Sequence, residues 1–478
     1  MHKAVQATKD VREGLYAIVG TAGVGEDTES YRIGDALPAA VVMPESEAEV
    51  CALVEYAQGM RAPCIVAGSG THLTHLTPHE NAWWLLSTRR LNRVVDYSPH
   101  DLVLTIGAGM TLQAVQEFLR EHNQYLPWNP ALTTEATIGG IVSSNRSGSW
   151  RYRYGTPRDR LLAVRAVLPD GVAFKSGAKV VKSVAGYDLH RLLCGAWGTL
   201  AVITEITLKV QPLPARFEAV GWFTTWGALE PTLAALMHAP LQPDGLSVLA
   251  LRTPTTTSFT GLQAVAQAEP AWYAPANQLT GRPSATLTID PPRVGRIELA
   301  TPQTQPRTLE QPRLQAESEP PAPYILLEFS GRPEGVAWQI QYLHEQGYPA
   351  EPVDEVYLRQ GRDWLAPRQH ALMLQILLRP SEIADEMARW MELQGVSAIA
   401  HAGNGVLYVA VDESGLNESL FQRVRMLQVR YRVLNGAGWL HRETGSELPH
   451  LHLHEGEHRL MQRLKEALDP HHLLPTLV

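Results

Sequence analysis

Cysteine is scarce in this 478-residue chain: Cys51, Cys64 and Cys194 are the only three, and no two share a CxxC spacing. That argues against a disulfide framework and against an iron–sulfur cluster held by this chain, which would need several closely spaced thiolates. Surplus positive charge is also missing, with 41 Lys and Arg against 49 Asp and Glu and a formal net charge of -8. A nucleic-acid partner is therefore not expected, because phosphate binding needs a concentrated positive field. No apolar run approaches the ~18 residues of a membrane span. The first twenty residues carry acidic and polar side chains where a secretory signal needs an apolar core. A cytoplasmic setting is the expectation. Two familiar phosphate grips are absent as well. There is no Gly-Lys-Ser/Thr of a P-loop, and no third glycine with a following helix to make a Rossmann fingerprint.

What is present is an alternation of strand-like and helix-like segments. Residues 39–43 read as a buried strand. Ser46 and Glu49 have capping-box spacing at the head of an amphipathic helix reaching about Met60. Strands are expected at 62–67, 83–87 and 101–109, and a helix from Thr111 to about Glu121. A second half begins near Leu126 with a turn-rich segment, a strand at 161–171, a helix-like stretch at 187–193 and an alternating strand ending near Val210. Pro212 and Pro214 mark a boundary. Beyond them come a strand (217–223), a helix (226–237) and a strand (245–251). Residues 252–323 hold roughly a third of the 34 prolines and little apolar periodicity and read as a long, partly disordered insertion. Regular patterns resume with strands at 324–331, 371–379, 396–400 and 405–411 and helices at 333–346 and 382–394, an order that suits an antiparallel sheet with helices on one face.

Chemistry concentrates in glycine-rich stretches. In AGSGTHL (67–73), small residues let main-chain N–H groups converge on an anion such as a diphosphate; alone, the same loop also reads as a tight turn. Thr137 to Gly155 adds Gly139, Gly140, Ser143, Ser144, Asn145, Ser147 and Gly148, and the Gly198–Thr199 turn offers a third close approach. Three such points in one half of the chain suit a flat dinucleotide lying against backbone.

The runs TIGGIVSSNRSG…RYGTPRDRLLAVRAVLPDG, VVKSVAGYDLHRLL and GTLAVITEITLKV resemble the FAD-binding domain of the vanillyl-alcohol-oxidase superfamily. Within it they are most similar to the FAD-binding E-type subunits of bacterial glycolate oxidase (glycolate dehydrogenase). The resemblance runs in order from about Leu37 to Pro214 and returns faintly at YILLEFSG, HAGNGVLYV and ALDPHHLLP. It implies an α+β fold: a PCMH-type two-subdomain FAD-binding domain plus a smaller antiparallel α/β cap. The implied division is an N-terminal segment (1–36), the FAD domain (37–214), the cap in two parts (215–251 and 324–435) around the Pro-rich insertion (252–323), and a C-terminal segment returning to the FAD domain (436–478).

Carried over residue by residue, the resemblance places the pyrophosphate loop on Gly68, Ser69, Gly70, Thr71 and His72. It places the flavin and ribityl lining on Thr137, Gly139, Gly140, Ser144, Asn145, Ser147 and Gly148, and further contacts on Tyr154, Gly155, Gly198, Thr199 and Ile203. Relatives with covalent FAD carry a His directly after two glycines; Thr71 holds that place here, so non-covalent FAD is implied. The D-2-hydroxyacid dehydrogenase branch carries a His-x-Gly-x-Gly-x-x-His metal motif. Here His401-Ala-Gly-Asn-Gly-Val-Leu-Tyr408 keeps only the first His, and no bound metal is expected. The implied activity is oxidation of a 2-hydroxy acid, of the glycolate or D-lactate type, to the 2-oxo acid. The implied partners are a homologous flavin subunit and an iron–sulfur subunit, with any membrane contact made only through them. His401 is the candidate base, and Arg153, Arg158 or Lys182 the candidate carboxylate holders. The alternative is an FAD-binding structural or electron-relay subunit without substrate chemistry of its own. His450, His452 and His454 would share one face of a strand as metal ligands, but read more simply as a solvated tail. Trp83 and Trp84 read as core.

Overall fold

The computed structural model describes residues 13–25, 27–33, 36–73, 76, 83–179, 187–252, 320–427, 431–435 and 455–475. Most of the Pro-rich segment, Lys182 and the histidines at 450, 452 and 454 lie outside the described residues.

The first sheet has four short strands, β1 (Val24–Gly25), β2 (Val41–Val42), β3 (Cys64–Ala67) and β4 (Trp84–Ser87), in the order β1-β2-β4-β3. β2, β4 and β3 run parallel. Helix α1 (Glu47–Met60) begins where Ser46 caps the N–H of Glu49. The Glu49 carboxylate reaches the Glu45 N–H at 2.8 Å rather than that of Ser46, so the reciprocal half of the capping box is displaced by one residue. Val50, Leu53, Val54 and Ala57 recur at helical spacing and pack with Val42, Cys64, Trp84 and Leu86. Trp83 and Trp84 are both buried.

The second sheet is antiparallel in the order β5-β6-β10-β8-β9, from β5 (Val94–Ser98), β6 (Val103–Gly107), β8 (Leu161–Val167), β9 (Ala173–Gly177) and β10 (Val202–Lys209). A two-stranded pair, β7 (Gln124–Tyr125) with β11 (Gln211–Pro212), closes its flank. Helix α2 (Leu112–Arg120) starts on the Thr111 cap. The segment read as turn-rich instead opens with a helix, α3 (Ile138–Ser144), capped by Thr137 and ended by Asn145 at a left-handed φ of 53°. Ile138, Ile141 and Val142 bury one side of it. That burial outweighs the low helix propensity of Gly139 and Gly140. Two short helical turns follow, α4 (Arg151–Tyr154) and α5 (Pro157–Arg160), with α6 (Leu189–Leu193) further on.

The third sheet has eight strands, all antiparallel: β12 (Arg216–Phe223), β13 (Gly245–Ala250), β14 (Tyr324–Gly331), β15 (Glu351–Pro352), β16 (Leu372–Leu377), β17 (Val396–His401), β18 (Val406–Val411) and β19 (Tyr431–Asn435). Their order is β15-β12-β14-β13-β17-β18-β16-β19. One face carries helices α7 (Trp226–His238), α8 (Pro333–Glu345), α10 (Ile383–Met391) and α11 (Glu418–Arg425), over a core that includes Leu327, Phe329, Leu374, Ala400, Leu407 and Val409. Helix α9 (Glu355–Asp363) lies elsewhere: Asp363 accepts the Leu132 N–H at 2.7 Å, reaching the first half of the chain.

Strand alternation decides the rest. Wherever one residue of the eight-stranded sheet points to the helices, its neighbours point the other way. That second face presents Ser247, Glu328, Ser330, Ile399, His401, Tyr408 and Arg432. Part of it buries an apolar cluster of Met373, Ile399, Val406, Tyr408 and Leu434 against Ala131. The final helix α12 (Glu455–Leu468) ties the tail to the first half: Lys465 donates to the Thr199 carbonyl at 2.8 Å, and the Leu473 carbonyl accepts from Cys64 N–H at 2.8 Å.

Candidate functional site

The glycine-rich loop leaves the end of β3, and β4 holds it from beside. The Ser87 hydroxyl donates to the Gly68 carbonyl at 2.9 Å and the Thr88 hydroxyl to the Ala67 carbonyl at 3.3 Å. These bonds occupy carbonyls on the strand side. Gly70 sits at a φ of 73°, a conformation that glycine adopts without the steric cost a side chain would bring. Opposite the loop stands the head of α3, where the Thr137 hydroxyl accepts the Gly140 N–H at 3.1 Å. A Cβ on Gly68 would fall 2.0 Å from that hydroxyl oxygen, and one on Gly139 would fall 2.8 Å from the Ala108 carbonyl oxygen. The loop thus closes on the Thr137 side chain, and the helix on the Ala108 backbone.

Between them opens a cavity of about 660 Å³, with the open solvent at its mouth included. Gly68, Ser69, Gly70, Thr71, His72, Thr137, Gly139, Gly140, Ser144, Gly198 and Ile203 line it, as the sequence reading grouped them. Ser143, named in the same glycine-rich stretch, also lines it, as do Thr88, Trp197 and Ala201, which were not singled out beforehand. Among the described lining residues there is no Asp, Glu, Lys or Arg. Such a cradle of amides and hydroxyls fits a diphosphate, whose charge meets no repelling anion. Thr71 and His72 share a hydrogen bond of 2.9 Å between Oγ1 and Nδ1, which engages the imidazole within the loop.

Six of the expected residues stand outside this cavity. Asn145 ends α3 and accepts the Arg158 N–H at 3.3 Å. The Ser147 carbonyl accepts from Asn129 N–H, and a Cβ on Gly148 would strike the Asn129 carbonyl oxygen at 2.2 Å. Tyr154 donates to Asp244 at 3.0 Å, Gly155 ends α4 at a φ of 74°, and Thr199 donates to the Ala196 carbonyl at 2.6 Å.

Several of these contacts belong to the seam between the first half of the chain and the eight-stranded sheet. Glu328 is buried there, accepting from Trp150 Nε1 at 2.9 Å and from the Ser149 hydroxyl. Burial pushes its carboxyl upward, against the pull of Arg362, Ser149 and Trp150. Asp244 is also raised by burial, and pairs with Arg153 at 2.8 Å. Arg153 is thereby committed to a carboxylate of the protein itself, and Arg158 is exposed. Neither holds the place expected of a substrate clamp.

His401 closes β17 on the seam face. It is 6% exposed, shares a 3.1 Å hydrogen bond with Ser247 through Nδ1, and packs edge-on against Tyr408. Its Nε2 has no hydrogen-bond partner among the described residues. Burial, then the charges of Arg146 and Arg151, pull its pKa down to about 3. The imidazole is neutral at any ordinary pH. Arg146 lies over the Tyr408 ring with Cζ at 5.6 Å from the centroid, and Arg432 over Trp197 at 4.8 Å. Trp197 is shared, since it also walls the glycine cavity. Strand β19, which carries Arg432, was not read from the sequence, although Arg146 sits in plain view inside SSNRSG.

A two-part half with a glycine-walled cavity, covered by an antiparallel sheet, is the PCMH-type FAD-binding fold. Residues 38–177 match the family described as FAD binding domain, and FAD is the cofactor. The chain is 33% identical over 190 residues to the mitochondrial D-lactate dehydrogenase (cytochrome) of Arabidopsis thaliana, covering 40% of this chain and 33% of that protein. It is 39% identical over 130 residues to glycolate oxidase subunit GlcE of Escherichia coli K12, covering 27% of this chain and 37% of that protein. Each alignment thus spans well under two thirds of the relative. Among solved structures, p-cresol methylhydroxylase with substrate bound superposes with a TM-score of 0.65 at 12% identity, over 98% of this chain and 95% of that one. No helix among the described residues is long and apolar enough to cross a membrane.

Proposed function

We propose that this chain is the FAD-binding subunit, of the glycolate oxidase E type, of a dehydrogenase that oxidises a 2-hydroxy acid such as glycolate or D-lactate to the 2-oxo acid. The observation that carries this reading is the glycine-walled cavity whose wall Trp197 lies under Arg432 of the facing sheet, at 4.8 Å. The backbone of 68–72 and the head of α3 would hold the FAD diphosphate without a covalent bond, since Thr71 follows the glycines and His72 is engaged with it. FAD bound there supplies the acceptor for the hydride released from the carbon bearing the hydroxyl. The chain's own part is to orient the acid, exclude water and take the hydroxyl proton at His401 Nε2. Electrons would pass to an iron–sulfur partner subunit, because three scattered cysteines hold no cluster. The domain division given above accompanies this proposal.

A second reading, an FAD-binding structural or relay subunit beside a homologous flavin subunit, is favoured by Tyr408. It stands where a second metal-binding His would be. The test is anaerobic addition of glycolate or D-lactate to the purified, flavin-loaded chain. Bleaching of the flavin's visible absorbance is the expected result. No bleaching by either acid, with bleaching restored only when a second flavin subunit is added, would move the chemistry to that partner.

A further inference from the structure

We propose that Arg146 and Arg432, one from each side of the seam, together seat the carboxylate of the acid whose hydroxyl faces His401 Nε2. This deepens the function proposed above and rests on it.

Cations at a protein seam are ordinarily committed. Arg153 is, through Asp244 and the carbonyls of Gln242 and Ser330. Arg146 and Arg432 are not. Among the described residues neither side chain has a carboxylate partner, and Arg146 Nη1 is buried without a hydrogen bond. Their geometry is nevertheless constrained. Each guanidinium lies over an aromatic face, Arg146 on Tyr408 and Arg432 on Trp197, an arrangement that holds the side chain while leaving its N–H groups free to donate at their edges. Arg432 is lowered to about 10, first by burial and then by the charge of Arg146, so the two cations sense each other. Two mutually repelling guanidiniums in a partly desolvated seam are unfavourable unless an anion is shared between them. A carboxylate suits that position, accepting two N–H groups from a planar fork.

The surroundings point the same way. Strand alternation puts Arg432, Tyr408 and His401 on one face of the sheet. The turn after His401 brings Asn404, whose amide nitrogen and oxygen are both buried without partners. These groups supply donors for a carboxylate and an acceptor for the neighbouring hydroxyl. The Arg146 charge also helps keep the imidazole neutral, because it is one of the causes that lower His401. A bound anion would offset that charge and make Nε2 a better proton acceptor only when substrate is in place. Trp197 joins this seat to the glycine cavity, so acid and cofactor would share one wall.

The experiment uses the flavin-loaded protein and oxalate, a non-reacting dicarboxylate, with binding followed by perturbation of the flavin spectrum. Arg146→Met and Arg432→Met are each expected to weaken oxalate binding at least tenfold, and Arg432→Lys to weaken it less. Flavin content should stay at the wild-type level, and Arg158→Met, on an exposed side chain, should change nothing. Removing one of two repelling cations should leave the melting temperature without oxalate at or above that of the wild type. Unchanged oxalate affinity in both Met variants would overturn the proposal, and so would loss of flavin in either, which would assign the guanidiniums to the cofactor. Oxalate binding that depends on both arginines in a protein that neither glycolate nor D-lactate bleaches would leave the anion seat standing and reject the oxidation reading.

Discussion

The two sides of the seam are built from different materials. The glycine cavity is made largely of backbone: amides, small hydroxyls and closely packed glycines, with no Asp, Glu, Lys or Arg among its described walls. The facing surface of the eight-stranded sheet is made of side chains: the buried Glu328 and His401, and the half-buried Asn404 and Arg432, with shifted or unpaired polar atoms among them. A backbone site recognises what every dinucleotide offers and has little to titrate. A side-chain site selects by charge and shape, and carries pH dependence with it.

The contrast breaks first, and hardest, at the backbone. Gly68→Val would drive a branched side chain into the Thr137 hydroxyl, which lies 2.0 Å from the position of a Cβ. Loop and helix must then part. FAD affinity is expected to fall at least a hundredfold, about 3 kcal/mol, as measured by flavin retained after gel filtration, with the far-ultraviolet dichroism preserved. Retention of stoichiometric flavin would show that the grip lies elsewhere.

On the sheet side, Glu328→Ala strips the acceptor from Trp150 Nε1 and the Ser149 hydroxyl in a dry environment. The expected cost is about 3 kcal/mol in chemical denaturation, since buried donors left unpaired are penalised more than a hydrogen bond is worth. Glu328→Gln, which keeps an acceptor, should cost about 1 kcal/mol or less. Equal losses in the two variants would mean that charge, rather than hydrogen bonding, holds the seam.

These two materials also explain what could be read from sequence. Glycines cluster in the chain where backbone must approach closely, so the loop at 68–72 and the stretch from Thr137 stood out; the cavity brings the loop together with Thr137, Gly139, Gly140 and Ser144, and leaves Asn145, Ser147 and Gly148 outside. The cap at Ser46 and the helix start at Thr111 were equally local, and α1 and α2 begin there, with Thr111 turning out to be the cap of α2. The helix α3 was not visible, because glycine-rich sequence reads as turn and only burial of Ile138, Ile141 and Val142 makes it helical. The sheet-side cluster was illegible for another reason. Arg146 and Arg432 come within reach of each other's charge only in the folded chain, and the strand over Tyr431–Asn435 that places Arg432 was not read. Even so, a lone Glu between Leu327 and Phe329 was a legible sign that the second face of that sheet is buried and polar.

A smaller effect follows from His401. Its pKa is lowered in the folded protein, so the unfolded chain takes up a proton first as pH falls below about 6.5. Stability is therefore complete above that pH and is lost as pH falls towards 3. Between pH 7 and pH 5 this group alone should remove roughly 2 kcal/mol. His401→Gln should flatten the acid side of the stability profile by about that amount, roughly 2 kcal/mol. An unchanged profile would mean that the imidazole is solvated and no longer part of a dry seam.

Glu355 supplies the smallest effect and the sharpest control. It opens α9, its Oε1 is buried without a hydrogen bond among the described residues, and burial raises its pKa to about 7 against the opposing pull of Arg362 and Arg359. Here the sign is reversed: the folded pKa lies above the unfolded one, so the group is harmless below about pH 4.5 and becomes destabilising as pH rises through 7. Glu355→Gln should therefore stabilise the protein at pH 8 by about 1 kcal/mol, a figure kept small because the carboxyl is partly exposed and water screens it. At pH 4 the variant and the parent should melt together. Flavin content and oxalate affinity should not move, because Glu355 borders neither the glycine cavity nor the arginine pair. A change in either would mean that the division between backbone-built and side-chain-built sites is drawn too narrowly, and that α9 belongs to the second.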